Sequence, residues 1–282
     1  MRRKCRCPYC GLALAPLLLL LAACSFLPRS GGYFEDDGPS APIADAARIP
    51  DAVPKHESRS RYGNNPYTVN GARYHPVADA RGYRERGVAS WYGKKFHGRR
   101  TSNGETYDMY AMTAAHTTLP LPSYVRVRNL KNGRSVVVRV NDRGPFLHSR
   151  LIDLSYAAAA KLGIADEGTG LVEVETVAPG EPLTAKTDTV EIIAPAAAAE
   201  ANGGPRLYLQ VGAFTRWDNA IALRDRLERE AFRPIFVQST LVETETRVYR
   251  VRIGPVASVE EGDRLTERLA QQGVANAVFV VE

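Results

Sequence analysis

Residues Ser123 to Phe146 read SYVRVRNLKNGRSVVVRVNDRGPF, two alternating runs on either side of an Asn-Gly pair. In the first run Tyr124, Arg126 and Arg128 share one face, and Val125, Val127 and Leu130 lie nearer the other. Alternation of period two marks strands with one buried face. Asn132 and Gly133 both tolerate positive φ, so the pair predicts a hairpin between the runs. The second run, Ser135 to Val140, ends in Asn141-Asp142-Arg143-Gly144-Pro145. Such a run is an ordinary turn by composition. It is equally a rigid ledge that holds the Asp142 carboxylate at a barrel rim, with Gly144-Pro145 fixing the chain beyond it.

The surrounding residues extend the β pattern. GVASWYG (Gly87–Gly93) is short and aromatic, and LVEVETV (Leu171–Val177) alternates. SYAAAAKLG (Ser155–Gly163) predicts a short helix with Ser155 as N-cap and Gly163 just past the end. Many short strands with one small helix predict a closed barrel over residues 81–178. Residues 206–282 repeat loosely. One half opens at Tyr208 with YLQVGAF and the other at Tyr249 with YRVRIGP, each leading into an amphipathic helix. Ala220, Leu223 and Leu227 recur at helical spacing in the first helix, Leu265 and Leu269 in the second. Two β-α-β halves predict a four-stranded antiparallel sheet with two helices on one face, a ferredoxin-like arrangement. The fold class is therefore mainly β followed by α+β.

The 282 residues carry a net charge of +6, with 44% apolar and 24% charged residues. Four of those charges are Arg2, Arg3, Lys4 and Arg6, and without them the balance is +2. A nucleic-acid partner is not supported by so small a surplus. Residues 1–23 read as a secretory signal: a basic start, an apolar stretch from Leu12 to Ala23, and small residues before Cys24. The stretch is short for a membrane span. Leu21-Ala22-Ala23-Cys24 resembles the bacterial lipobox, which implies lipidation of Cys24. With Ser25 following, the sorting rule implies the periplasmic face of the outer membrane. Cys5, Cys7 and Cys10 precede the cleavage point, so no metal site is expected from them and no disulfide within a mature chain. Residues 24–80 are rich in Pro, Gly, Asp, Ser and Arg and read as a flexible tether. Residues 179–205, with APAAAAEANGGP, read as a second linker.

The stretch from Gly87 to Gly163, with VNDRGPF inside it, resembles the rare lipoprotein A family almost continuously. The resemblance implies a six-stranded double-psi β-barrel, the fold of expansins. YLQVGAF and YRVRIGP resemble the sporulation-related repeat, SPOR, whose family binds peptidoglycan glycan strands lacking stem peptides. Members of the barrel family are lytic transglycosylases. They cut the MurNAc-GlcNAc β-1,4 bond without water and leave a 1,6-anhydro end. One carboxyl group can serve twice in that reaction, first as acid on the leaving oxygen, then as base on O6. A hydrolase usually needs two carboxylates at a set separation.

Asp142 is the first candidate for that carboxyl group. Adjacent Arg143 opposes a raised pKa, so the role requires Arg143 to point away or the site to be partly buried. Glu105, in TSNGET, matches a family glutamate and is expected to stabilise positive charge at the anomeric carbon or position O6; otherwise it is a solvated loop acid. His116, in TAAHTTLPLPS, also matches a family position, as a hydrogen-bonding helper or a structural residue. Asp153, in RLIDLS, ranks last, as a cap or support. Trp91, Tyr92 and Phe96 are candidate stacking faces or core residues.

In the last module Leu207, Leu209, Val211, Tyr249, Val251 and Ile253 are expected to face the helices. Tyr208, Gln210, Arg250 and Arg252 are then left on an open face for a glycan. The whole reads as an outer-membrane lipoprotein that cleaves peptide-free peptidoglycan at the division septum, alongside division-site proteins and with no cofactor. The rival reading is an expansin-like wall-loosening protein that grips glycan without cutting it. A metal-dependent peptidase fits poorly, since no HExxH occurs.

Overall fold

The computed structural model describes residues 37–39, 41–147, 149–180, 204–242 and 246–282. The signal segment, Cys24 and most of the 179–205 linker lie outside the described residues. Among the described residues, no helix is long and apolar enough to cross a membrane.

A short hairpin comes first, β1 (Tyr67–Val69) and β2 (Ala72–Tyr74). Six strands then close a barrel: β3 (Arg84–Tyr92), β4 (Thr113–Ala115), β5 (Ser123–Asn129), β6 (Ser135–Asp142), β7 (Ile152–Ser155) and β8 (Gly170–Thr176). Their order around the barrel is β3-β7-β4-β6-β5-β8. The pairs β3–β7 and β4–β6 are parallel, and the others antiparallel.

The β5–β6 hairpin forms where the Asn-Gly pair predicts it. Gly133 adopts φ +73° and its N–H bonds Asn129 O at 2.9 Å. Asn129 Oδ1 accepts from Lys131 N at 2.8 Å, so a side chain braces the turn. The helix α1 (Tyr156–Leu162) is capped as expected: Ser155 Oγ accepts from Ala158 N at 3.2 Å, and Gly163 is left-handed at φ +78°. Val125, Val127, Val138, Val140, Ile152, Leu154, Val172 and Val174 fill the barrel and are fully buried.

The expected tether is the main departure. Residues 41–80 are not a free spacer but a strap wound over the barrel. Their backbone is paired with it: Ala52 N to Val137 O at 3.0 Å, Ser60 N to Leu121 O at 2.8 Å, and Val77 N to Thr118 O at 2.8 Å. Ile43, Ile49 and Ala52 pack against the barrel core. Lys161 Nζ holds both Ile49 O and Asp51 Oδ1 at 2.7 Å. Arg143 Nε reaches Gly63 O at 2.8 Å. Val137, on the outer side of β6, is buried, and its carbonyl accepts from Ala52 N of the strap.

The last module comprises β9 (Leu207–Phe214), α2 (Trp217–Arg229), β10 (Ile235–Leu241), β11 (Arg247–Val256), α3 (Val259–Gln271) and β12 (Val278–Val281). The sheet order is β10-β11-β9-β12, all antiparallel. Leu207, Leu209, Val211, Val251 and Ile253 face the helices and are buried with Ala220, Leu227 and Leu269. Tyr249 is only partly buried, edge-on to Trp217 at 5.3 Å. Gly262 in α3 is required by packing, since a Cβ there would lie 2.2 Å from the Phe279 ring.

Candidate active site

Barrel closure brings three polar side chains into one row. Ser90 on β3 is the register partner of Asp153 on β7. Asp153 is in turn paired with Ala115 on β4, and Ala115 with Asp142 on β6. Adjacent strands lie about 4.8 Å apart, so the two acid-bearing backbones stand roughly 10 Å apart. Only small groups lie between them. A Cβ built at Gly144 would be 3.7 Å from both Ala115 Cβ and Asp153 Oδ2, and its φ of +143° disfavours any L side chain.

Asp153, like Ser90 and Asp142, is half-buried, while Ala115 between the two acids is buried. Burial pushes its carboxyl up to about 6, with the charges of Asp142 and Asp37 adding to the rise. The Ser90 hydroxyl, which donates to Asp153 Oδ1, and Arg150 act in the opposite direction. A carboxyl group tuned towards neutrality is suited to giving and taking a proton.

Asp142 is held differently. Its Oδ1 accepts from Ser102 N at 2.8 Å, Ser102 Oγ at 2.6 Å and Arg143 N at 2.7 Å. Oδ2 has no protein donor among the described residues. Arg143 does turn away from this carboxylate. Its Nη1 donates to His116 O at 2.9 Å and Leu119 O at 2.6 Å, and burial lowers its pKa to about 10.

The loop that carries Ser102 also carries Glu105. It is a tight turn, with Thr101 N bonded to Glu105 O at 2.8 Å and Gly104 at φ +93°. Glu105 faces Arg139, whose Nη1 and Nη2 contact its two oxygens at 2.7 and 2.9 Å, and Asn141 Nδ2 adds a third bond at 3.0 Å. Arg139, chiefly, holds this carboxyl below its ordinary range. Glu105 is thus an anion, fit to stabilise positive charge and not to donate a proton. The other edge of Arg139 is taken by Glu57 of the strap, through Nε to Oε1 at 2.9 Å and Nη2 to Oε2 at 2.8 Å.

His116 is 2% exposed and does not reach a groove. Its Nδ1 accepts from Thr118 N at 3.1 Å and Leu119 N at 3.0 Å, so the neutral ring carries its proton on Nε2, 3.0 Å from Tyr83 Oη. Burial, with Arg143, lowers its pKa to about 3. The ring shapes the turn that Arg143 grips from the other side. Trp91 and Tyr92 are core residues, while Phe96 is exposed. No group of three or more His, Cys, Asp or Glu side chains suited to a metal occurs among the described residues.

Asp153, expected only as a cap or support, stands in the acid row. Ser90, Glu57 and Arg139 carried no sequence signal, yet Ser90 contacts Asp153, and Arg139 joins Glu57 to Glu105. The alternation Ile152-Asp153-Leu154 does put the acid opposite two core residues. What it faces depends on strand order, which local pattern does not carry.

On the last module's outward face Gln210 and Arg250 are half-buried. Tyr208 is 8% exposed, edge-on to Phe236 at 5.7 Å. Arg252 is 7% exposed and ion-paired with Glu282, so it is not the free cation expected from alternation.

A six-stranded barrel with paired acids, followed by a four-stranded sheet with two helices, defines a two-module class. Residues 84–175 match the family described as lytic transglycolase, and residues 203–280 match the SPOR domain. The chain is 42% identical to the endolytic peptidoglycan transglycosylase RlpA of Pseudomonas aeruginosa, over 96% of this chain and 95% of that one. It is 40% identical to the protein of that name from Vibrio cholerae, over 91% and 89%. Among solved structures, the Pseudomonas aeruginosa RlpA SPOR domain is 34% identical over 26% of this chain and 96% of its own, with a TM-score of 0.25. The chain belongs to the RlpA family.

Proposed function

We propose that this chain is an outer-membrane lipoprotein that cleaves peptide-free peptidoglycan by transglycosylation, held on the same glycan by its last module. The catalytic reading rests above all on the Ser90–Asp153–Ala115–Asp142 row. It is supported by relatives named endolytic peptidoglycan transglycosylase.

In the proposed reaction the protonated Asp153 gives its proton to the glycosidic oxygen as the C1–O bond breaks. Positive charge grows at C1, and the Asp142 and Glu105 carboxylates stabilise it. The muramic acid O6 then bonds to C1, and its proton passes to the Asp153 carboxylate. Asp153 ends as it began, water is not consumed, and the product is a 1,6-anhydro end. This assigns to Asp153 the double role that the sequence suggested for Asp142. The reason is that Asp142 Oδ1 is already committed to three donors, whereas burial readies Asp153 to hold a proton.

The lipid expected on Cys24 confines the chain to a membrane surface but does not choose a place along the cell. The SPOR module supplies that choice, because amidases strip stem peptides where the wall is being split. Gln210 and Arg250 are the polar groups of its outward face that carry the contact. Residues 206–282 fused to an exported fluorescent reporter are expected to form a midcell band that disappears on Gln210→Ala with Arg250→Ala. Uniform peripheral fluorescence from the intact module, in cells with active amidases, contradicts the targeting role. The products released from peptide-free sacculi test the catalytic part.

A further inference from the structure

The strap before the barrel does more than brace it. Together with the barrel it encloses a groove of about 790 Å³, in which Ile49, Val53, Lys55 and Glu57 stand opposite Glu105, Tyr110 and Met112. That volume is in the range of small-molecule sites. The groove joins apolar and polar groups in the way a saccharide needs. Tyr110 and Val53 are 38% and 70% exposed at its rim. Its polar side holds Lys55 and the cluster Glu57–Arg139–Glu105, in which one guanidinium serves two carboxylates. Tyr124 Oη also donates to Glu57 Oε1. Arg139 drives the Glu57 carboxyl down to about 2, so it remains an anion throughout the working pH range. Glu105 belongs both to this cluster and to the loop whose Ser102 holds Asp142, which makes the groove continuous with the acid row.

We propose that the strap segment 49–57 is the outer wall of a saccharide subsite beside the acid row, and that Glu57 is a positioning residue that fixes Glu105 through Arg139. The occupant is an N-acetylated amino sugar of the glycan strand. Its ring and acetamido methyl lie on the apolar wall, and its hydroxyls bond to the carboxylate–guanidinium cluster. Without Glu57, Arg139 loses the partner that holds its Nε edge, and Glu105 loses its fixed orientation. The inference rests on the glycan-cleaving reading, but binding at the strap is measured separately from cleavage.

The test uses the full chain and chitotetraose, an uncharged N-acetylglucosamine tetramer. Hydrogen exchange is followed at backbone amides 49–57 with and without the sugar. Sugar bound at the SPOR module is read separately, from protection of amides within 206–282. Protection of 49–57 in the wild type is expected, together with its loss in Val53→Trp, which fills the groove from an exposed position and so spares the fold. Glu57→Gln is expected to raise KM for peptide-free strands roughly tenfold, the effect of losing hydrogen bonds to a charged partner. Glu57→Asp restores part of the loss. A bracing role alone lowers the melting temperature of Glu57→Gln but leaves KM unchanged, and that result overturns the positioning claim. Exchange at 49–57 that ignores the sugar while amides 101–106 become protected overturns the subsite. A wild type that protects 49–57 but releases no product leaves the subsite standing and removes the catalytic reading instead.

Discussion

Asp153→Asn is expected to slow glycan cleavage by about 10²–10⁴-fold, the usual share of a general acid–base group. The amide keeps the shape and the Ser90 contact but neither gives nor takes the proton. The wild-type rate is expected to fall as pH rises through about 6, where burial places this carboxyl. The variant's residual rate has no such limb. Stability moves the other way. A carboxyl raised in the folded state from 3.8 to about 6 costs nothing at low pH and becomes a burden as pH rises through that window, because the unfolded chain releases the proton first. Asp153→Asn removes the burden. The variant is expected to be more stable than the wild type at pH 7.5 by on the order of 3 kcal/mol, given about 1.4 kcal/mol per pKa unit. The gap closes by pH 4. Denaturant melts at the two pH values measure it. A variant with near-normal turnover, or one less stable at pH 7.5 than at pH 4 relative to wild type, contradicts the role given to Asp153.

Asp142→Asn is expected to cost a comparable factor for two separate reasons. It removes the anion that faces positive charge at C1, and it puts an amide where Oδ1 now accepts three hydrogen bonds. If the amide oxygen keeps those bonds, its NH₂ occupies the Oδ2 position and turns a donor towards the substrate. The loop 101–105 then stays in place, and the loss appears in kcat with KM little changed. The profile retains its fall near pH 6, because Asp153 still titrates. If instead Asp142→Asn abolishes that limb and Asp153→Asn preserves it, the two roles are exchanged. Steady-state rates on peptide-free strands across pH 4–8 separate these outcomes.

Much of this architecture was legible because it is local. The Asn132-Gly133 turn, the Ser155 and Gly163 caps, and the alternation in β5, β6 and β8 each follow from neighbours in sequence. The two halves of the last module were legible for the same reason. The strap was not. Its Pro, Gly and charged residues give a composition like that of a spacer, and its anchors are single residues. Ile49, Glu57, Ser60 and Gly63 each find a partner more than fifty residues away, with no periodicity to announce them. The acid pair was half legible. Asp142 stood out at the end of an apolar strand. Asp153 looked like a residue leading into a helix, and the parallel pairing of β3 with β7 is what sets it beside Ser90. Arg252 read as an outward cation because its partner, Glu282, lies thirty residues away at the end of the chain.

The most direct test is the chemical identity of what the wild-type chain releases from peptide-free sacculi, read by mass spectrometry. Transfer to the muramic acid's own O6 gives soluble fragments ending in 1,6-anhydro-muramic acid, one water lighter than the hydrolysis product. That is the result expected from an acid row that uses one proton twice. Fragments with reducing muramic ends, or glycan that is bound but never released, would contradict it.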